Sequence, residues 1–172
     1  MNRRTGDQQT AECPSCGLRS PTIEGPTHPF MLSSPGCWAT FGEVLALEFG
    51  DPAYFSLHQM TVDSYAASHP GRPERQAIQA IGLHLMTLQL FIEDGIDASE
   101  GPKLHKRMVG HPPELAWLEP PELHGRMTVA CVLEATTASE HLVRIRSWAE
   151  EVWAAWAPHH PIVRDWVRQS LP

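Results

Sequence analysis

From residue 35 onward the apolar positions recur at three- and four-residue spacing, the period of helices that each bury one face. Trp38, Phe41, Leu45 and Phe49 make the first stripe and predict a helix from Pro35 to Phe49. Ser34 can cap it, Pro35 suits its first turn and Gly50 stops it. A second helix is predicted from Pro52 to Ser68, capped by Asp51 and ended by His69-Pro70-Gly71. A third runs from about Pro73 to Asp94 and stops at Gly95. Its stripe is Ile78, Ile81, Leu85, Leu88 and Ile92, with Ala77, Ile81, His84, Leu88 and Phe91 adjoining. The turn between the second and third helices is short, so the two should pack antiparallel.

Further on the pattern is shorter and more broken. A helix is predicted from Ser99 to Val109 with Lys103, Lys106 and Arg107 outside. A proline-rich connector containing Trp117 covers 110–127. Thr128 to Ala135 suits helix or strand and is read as helix. The long late helix spans Ser139 to Ala157, with Leu142, Ile145, Ala149, Val152 and Trp156 inward. Pro158-His159-His160-Pro161 breaks it, and a last helix from Pro161 to Gln169 presents Ile162, Val163 and Trp166. The expected fold is mainly α: a single-domain bundle of about five to six helices over 12–170, after a disordered tail over 1–11.

Residues 12–34 follow neither period. They form a loop rich in Pro, Gly, Ser and Thr, and a loop of that length without secondary structure needs something to hold it. The cysteines supply a means. Cys13-Pro14-Ser15-Cys16-Gly17 is a C-x2-C knuckle, and His28 and Cys37 follow at ordinary ligand spacings. Zn2+ takes four soft or borderline ligands in a tetrahedron, and three thiolates with one imidazole provide them. The predicted metal ligands are Cys13, Cys16, His28 and Cys37, pinning a knuckle loop over 12–37. Cys37 falls in the first turn of its helix, where the dipole favours a thiolate. The alternatives for the fourth ligand are His69 and His58, because the second helix should return alongside the first. The thioredoxin-type reading needs a strand before the cysteine pair, and nothing before Cys13 reads as one.

Composition narrows the class. The 172 residues suit one domain with a core of its own. The net charge of -7 argues against nucleic acid and anionic membranes as partners, which leaves a small molecule or another protein. No apolar run reaches the roughly 20 residues of a membrane span, and the opening ten residues hold no apolar core of a signal peptide. The expected compartment is the cytoplasm, where cysteines stay reduced or bind metal. Cys131, alone among apolar neighbours, reads as a small buried hydrophobe.

Ten histidines raise the prospect of a second site. Tyr54, His58, Val62, Tyr65 and His69 share one helical face, and His84 lies inward on the third helix. At 1.5 Å per residue His58 and His84 each lie roughly 18 Å from the intervening turn, hence at one level. Asp63 lies well around the helix from His58. The catalytic candidates are therefore His58, Asp63, Tyr65 and His84, with His141 and the His159-His160 pair able to contribute. Imidazole there would ligate a metal or accept a proton near pH 7; the alternative is a set of satisfied core histidines. Three functions stay open. The first is structural zinc with a His/Tyr pocket between the second and third helices. The second is a metal-dependent hydrolase-like enzyme using His58, His69 and His84. The third is a non-catalytic binding or regulatory module that meets a partner through the tryptophan helix around Trp148, Trp153 and Trp156.

Several short motifs occur together in this chain: Cys13-Pro-x-Cys-Gly, Thr27-His28-Pro29, Ser34-Pro-Gly-Cys-Trp38, His58-x-x-Thr-Val-Asp-x-Tyr65 with His69-Pro-Gly71, and the run from Trp148 to Trp156. The set resembles a family of small bacterial proteins of unknown function, over residues 12 to about 168. That resemblance implies a compact bacterial cytoplasmic domain and brings no assigned activity.

Overall fold

A computed structural model describes residues 9–122 and 125–171. It is mainly helical, with eight α-helices and one two-stranded sheet among the described residues. Strands β1 (Thr10–Glu12) and β2 (Arg19–Pro21) pair antiparallel, Ala11 opposite Ser20. Thr10 and Ala11, expected in a tail, are therefore paired; residues 1–8 of that tail lie outside the described residues. The cysteine pair occupies the turn of this hairpin.

Helix α1 (Pro35–Gly50) starts as expected, the Ser34 hydroxyl accepting the Cys37 N–H at 3.2 Å. Its buried face differs from the expected stripe. Cys37, Phe41, Val44 and Glu48 turn inward, while Trp38 and Leu45 are half-buried and Phe49 is 67% exposed. The difference has a polar cause. Glu48 meets two imidazoles and a hydroxyl inside the bundle, so a carboxylate takes a place that hydrophobicity assigned to its neighbour.

The expected second helix is two. α2 (Pro52–Phe55) is capped by Asp51, whose carboxylate accepts the Ala53 N–H at 2.9 Å, and α3 (His58–Ser68) begins after a break at Ser56 and Leu57. Beyond the break His58 meets Glu48, and before it Tyr54 packs edge-on to His141, ring centroids 5.1 Å apart. α4 (Arg75–Ile92) follows, with Gly95 at a left-handed φ of 67° just past its end. A 3-10 turn leads into α5 (Gly101–Gly110). α6 (Val129–Leu133), α7 (Ala138–Ala155) and α8 (His160–Ser170) complete the order.

α3 is the centre, packed on α4 and α7, while α4 also meets α5, α7 and α8. Tyr65, Leu85, Leu88, Ile145, Trp148, Val152 and Trp156 have at most 1% of their surface exposed. Trp148, Trp153 and Trp156 are all buried, and the Trp156 indole donates to the Ala67 carbonyl at 3.1 Å. The tryptophan helix is thus a core helix, and these rings offer no groove to a partner. Cys131 is half-buried rather than in the core, 4.0 Å from the Thr128 hydroxyl. No helix among the described residues is long and apolar enough to cross a membrane.

Candidate metal centre

The hairpin turn that carries Cys13 and Cys16 is closed by its own backbone. The Cys13 N–H donates to the Leu18 carbonyl at 2.8 Å, and the Gly17 N–H donates to the Cys13 carbonyl at 3.0 Å. Gly17 has φ 73°, a conformation cheap only for glycine. The hairpin then seats on the first turn of α1: a Cβ at Gly36 would run into the Ser20 side chain and the Pro21 carbonyl. This close approach puts Cys16 Sγ 3.7 Å from Cys37 Sγ. From the other side α3 ends, and its C-cap residue His69 brings Nε2 to 3.3 Å from Cys37 Sγ. An antiparallel bridge between Met31 and Pro70 lays the 22–34 loop along the same corner.

One donor atom from each of Cys13, Cys16, Cys37 and His69 lies within 4.8 Å of the others. Zn–S near 2.3 Å and Zn–N near 2.0 Å give tetrahedral edges of about 3.8 Å between sulfurs and about 3.5 Å between sulfur and nitrogen. The 3.7 Å and 3.3 Å separations match those edges closely. Orientation fits as well. His69 Nδ1 lies 2.7 Å from the Tyr65 carbonyl, and a carbonyl only accepts, so Nδ1 carries a proton; in the neutral ring that a metal binds, Nε2 then turns a lone pair toward the sulfurs. The Tyr65 hydroxyl lies 3.5 Å from Cys37 Sγ. Burial, reinforced by Cys37, pushes its pKa well above the usual phenol range, so it stays a donor.

The sulfurs disturb one another. Hydrogen bonds from Cys16 and then Cys37 hold the Cys13 thiol far below the usual range, while the bonds to Cys13 and Cys16, with burial, push Cys37 far above it. Burial would lower the His69 imidazole, but the sulfurs of Cys13 and Cys16 raise it to about 9. Three sulfurs this close cannot all be thiolates unless positive charge sits among them. A divalent cation held among them would supply that charge.

His28 lies outside this group. Its Nδ1 accepts the Phe30 N–H at 3.2 Å, and its ring packs on Phe30 and Trp38, each with centroids 5.6 Å away. The fourth donor within the cluster is His69, which the return of α3 toward α1 delivers more directly than the loop does.

The remaining histidines form separate groups instead of one pocket. His58 Nδ1 lies 2.6 Å from Glu48 Oε2, and Glu48 Oε1 accepts from the Thr61 hydroxyl at 2.6 Å and lies 3.2 Å from His141 Nε2. His84 Nδ1 lies 2.7 Å from Asp63 Oδ1, which also accepts from the Gln59 amide at 2.9 Å. The phase of α3 explains the separation. Five residues from His58 to Asp63 turn about 140° around a helix, so His58 faces α1 and α7 while Asp63 faces α4 and α5. His58, His69 and His84 therefore serve three different clusters. His160 Nε2 lies 2.8 Å from the Trp153 carbonyl and its Nδ1 3.6 Å from Glu93; His159 Nε2 lies 2.8 Å from the Glu119 carbonyl. Neither joins a candidate site.

Two participants carried no usable sequence signal. Glu48 falls in a helix face where a carboxylate reads as solvated. His105 packs against His84 with centroids 5.6 Å apart, and burial, aided by His84, holds its pKa below the ordinary imidazole range. Its one available cue is its position, one turn after Gly101. A Cβ at that glycine would meet Phe91 and the Gln59 side chain, so α5 approaches α3 closely there.

No curated protein and no solved structure matches the chain. A family model does, over residues 11–157. That span holds the three cysteines, His69 and all the clustered histidines, and the chain belongs to the family of unknown function DUF5946.

Proposed function

We propose that this is a zinc protein in which Cys13, Cys16, Cys37 and His69 hold a structural Zn2+ that fastens the N-terminal hairpin to the helical bundle. The observation that carries the reading is the aim of His69: Nδ1 on the Tyr65 carbonyl and Nε2 3.3 Å from Cys37 Sγ. Four donors complete a tetrahedron, and a closed site leaves no position for a reacting water. Burial agrees, since Cys13, Cys37 and His69 are at most 2% exposed. The zinc contributes folding free energy rather than chemistry. Four cysteines without a disulfide suit a reducing compartment, which is why we place the protein in the bacterial cytoplasm. Its acidic balance keeps nucleic acid and membranes off the list of partners.

Metal analysis combined with zinc-edge X-ray absorption tests the reading on the purified full chain. The expected spectrum shows three sulfur neighbours near 2.3 Å and one nitrogen near 2.0 Å. A shell of nitrogen and oxygen alone, or a protein that folds equally well after complete zinc removal, would overturn it.

A further inference from the structure

Asp63 is wholly buried, and its two oxygens fare differently. Oδ1 receives both His84 and Gln59, whereas Oδ2 has no hydrogen-bonding partner among the described residues. His105 Nδ1 is also buried and also without a partner. A carboxylate oxygen offers lone pairs, as does Nδ1 of an imidazole protonated at Nε2, so both atoms can serve as donors to a cation. One donor atom from each of Asp63, His84 and His105 lies within 4.8 Å of the other two. We propose that Asp63, His84 and His105 form a second metal site, specific for a divalent first-row transition ion.

The donor set is one carboxylate and two imidazoles, which suits borderline ions and not Ca2+ or Mg2+. Three helices build it: Asp63 from α3, His84 from α4 and His105 from α5. The close seat of Gly101 against Gln59 sets the distance between α3 and α5, and His105 lies one turn further along the same face. Three donors leave coordination positions open. The site reaches solvent, because the His84 side chain is 13% exposed and His105 is half-buried. Water or a small anionic ligand completes the coordination sphere, and the ion exchanges readily. None of this depends on which metal the cysteine centre holds.

Cobalt separates the two sites. The full chain is dialysed against a mild chelator with its cysteine-bound metal retained, then titrated with Co2+ alone. The expected result is one further equivalent per chain, with weak visible bands and no sulfur-to-cobalt charge transfer in the near ultraviolet. His84→Gln and His105→Gln should each weaken that uptake by about tenfold or more, with the metal content of the cysteine centre unchanged. No uptake by the wild-type chain would overturn the proposal. So would uptake that shows sulfur charge transfer, or uptake that persists in the folded double variant, with folding read by circular dichroism.

Discussion

Helix α3 carries two donor groups of opposite character. At its C-terminal end, His69 faces three sulfurs, Tyr65 adds a hydroxyl, and every member but the half-buried Cys16 is buried. In its middle, Asp63 and two imidazoles leave one oxygen and one nitrogen unserved and reach solvent. The Glu48 group lies between these extremes. Both Glu48 oxygens are served, by three side-chain partners in all; only His141 Nδ1 is left without a partner, so no carboxylate oxygen there waits for an ion. Histidine and carboxylate content therefore does not set a cluster's role. The count of served lone pairs does, together with access to water.

Cys16→Ser tests the closed end most severely. We expect loss of zinc and destabilisation on the order of 5 kcal/mol, because a structural metal contributes directly to folding. Unchanged zinc content and an unchanged melting curve would remove the closed end from the comparison. Next in size is the contrast between His69→Ala and His28→Ala. The first should weaken zinc binding by about 100-fold or more; the second should leave the affinity within a few-fold, since His28 only packs on Phe30 and Trp38. The opposite order, measured by competition with a chromogenic chelator, would restore the loop histidine as the ligand. The smallest effect belongs to the middle of the helix. Gly101→Ala should cost about 1–3 kcal/mol by overpacking against Gln59 and Phe91 and should leave zinc content intact. Thermal melting with parallel metal analysis checks both halves of that statement; a loss of zinc would show that the two regions are not independent.

Most of the helices were legible because their periods and stops are local. Ser34, Asp51, Gly95 and Pro161 mark ends that the structure keeps within a few residues. The break at Ser56 and Leu57 was not legible, since no glycine or proline marks it. Spacing alone points to the three cysteines, and they do lie together. The choice between His28 and His69 was beyond spacing: it depends on how the end of α3 meets the start of α1, a long-range relation. The same limit explains the missed pairings. His58 and His84 do lie on neighbouring helices and Asp63 is among the candidates the sequence offers, but Glu48 is hidden by the rule that carboxylates face water. Such residues enter a core only when donors from elsewhere await them.

The hairpin of β1 and β2 has scarcely any core of its own, yet it is seated on α1 and flanked by the bridge from Met31 to Pro70. A metal shared between Cys37 and His69 would tie positions 32 apart in the chain. In the unfolded ensemble that tether removes loop entropy worth roughly 3–4 kcal/mol, by the reasoning applied to a cross-link of this span. Its consequence is cooperativity. The N-terminal segment, which by burial alone would fray first, would open only when the end of α3 opens, and the chain would lose its front and its centre in a single transition.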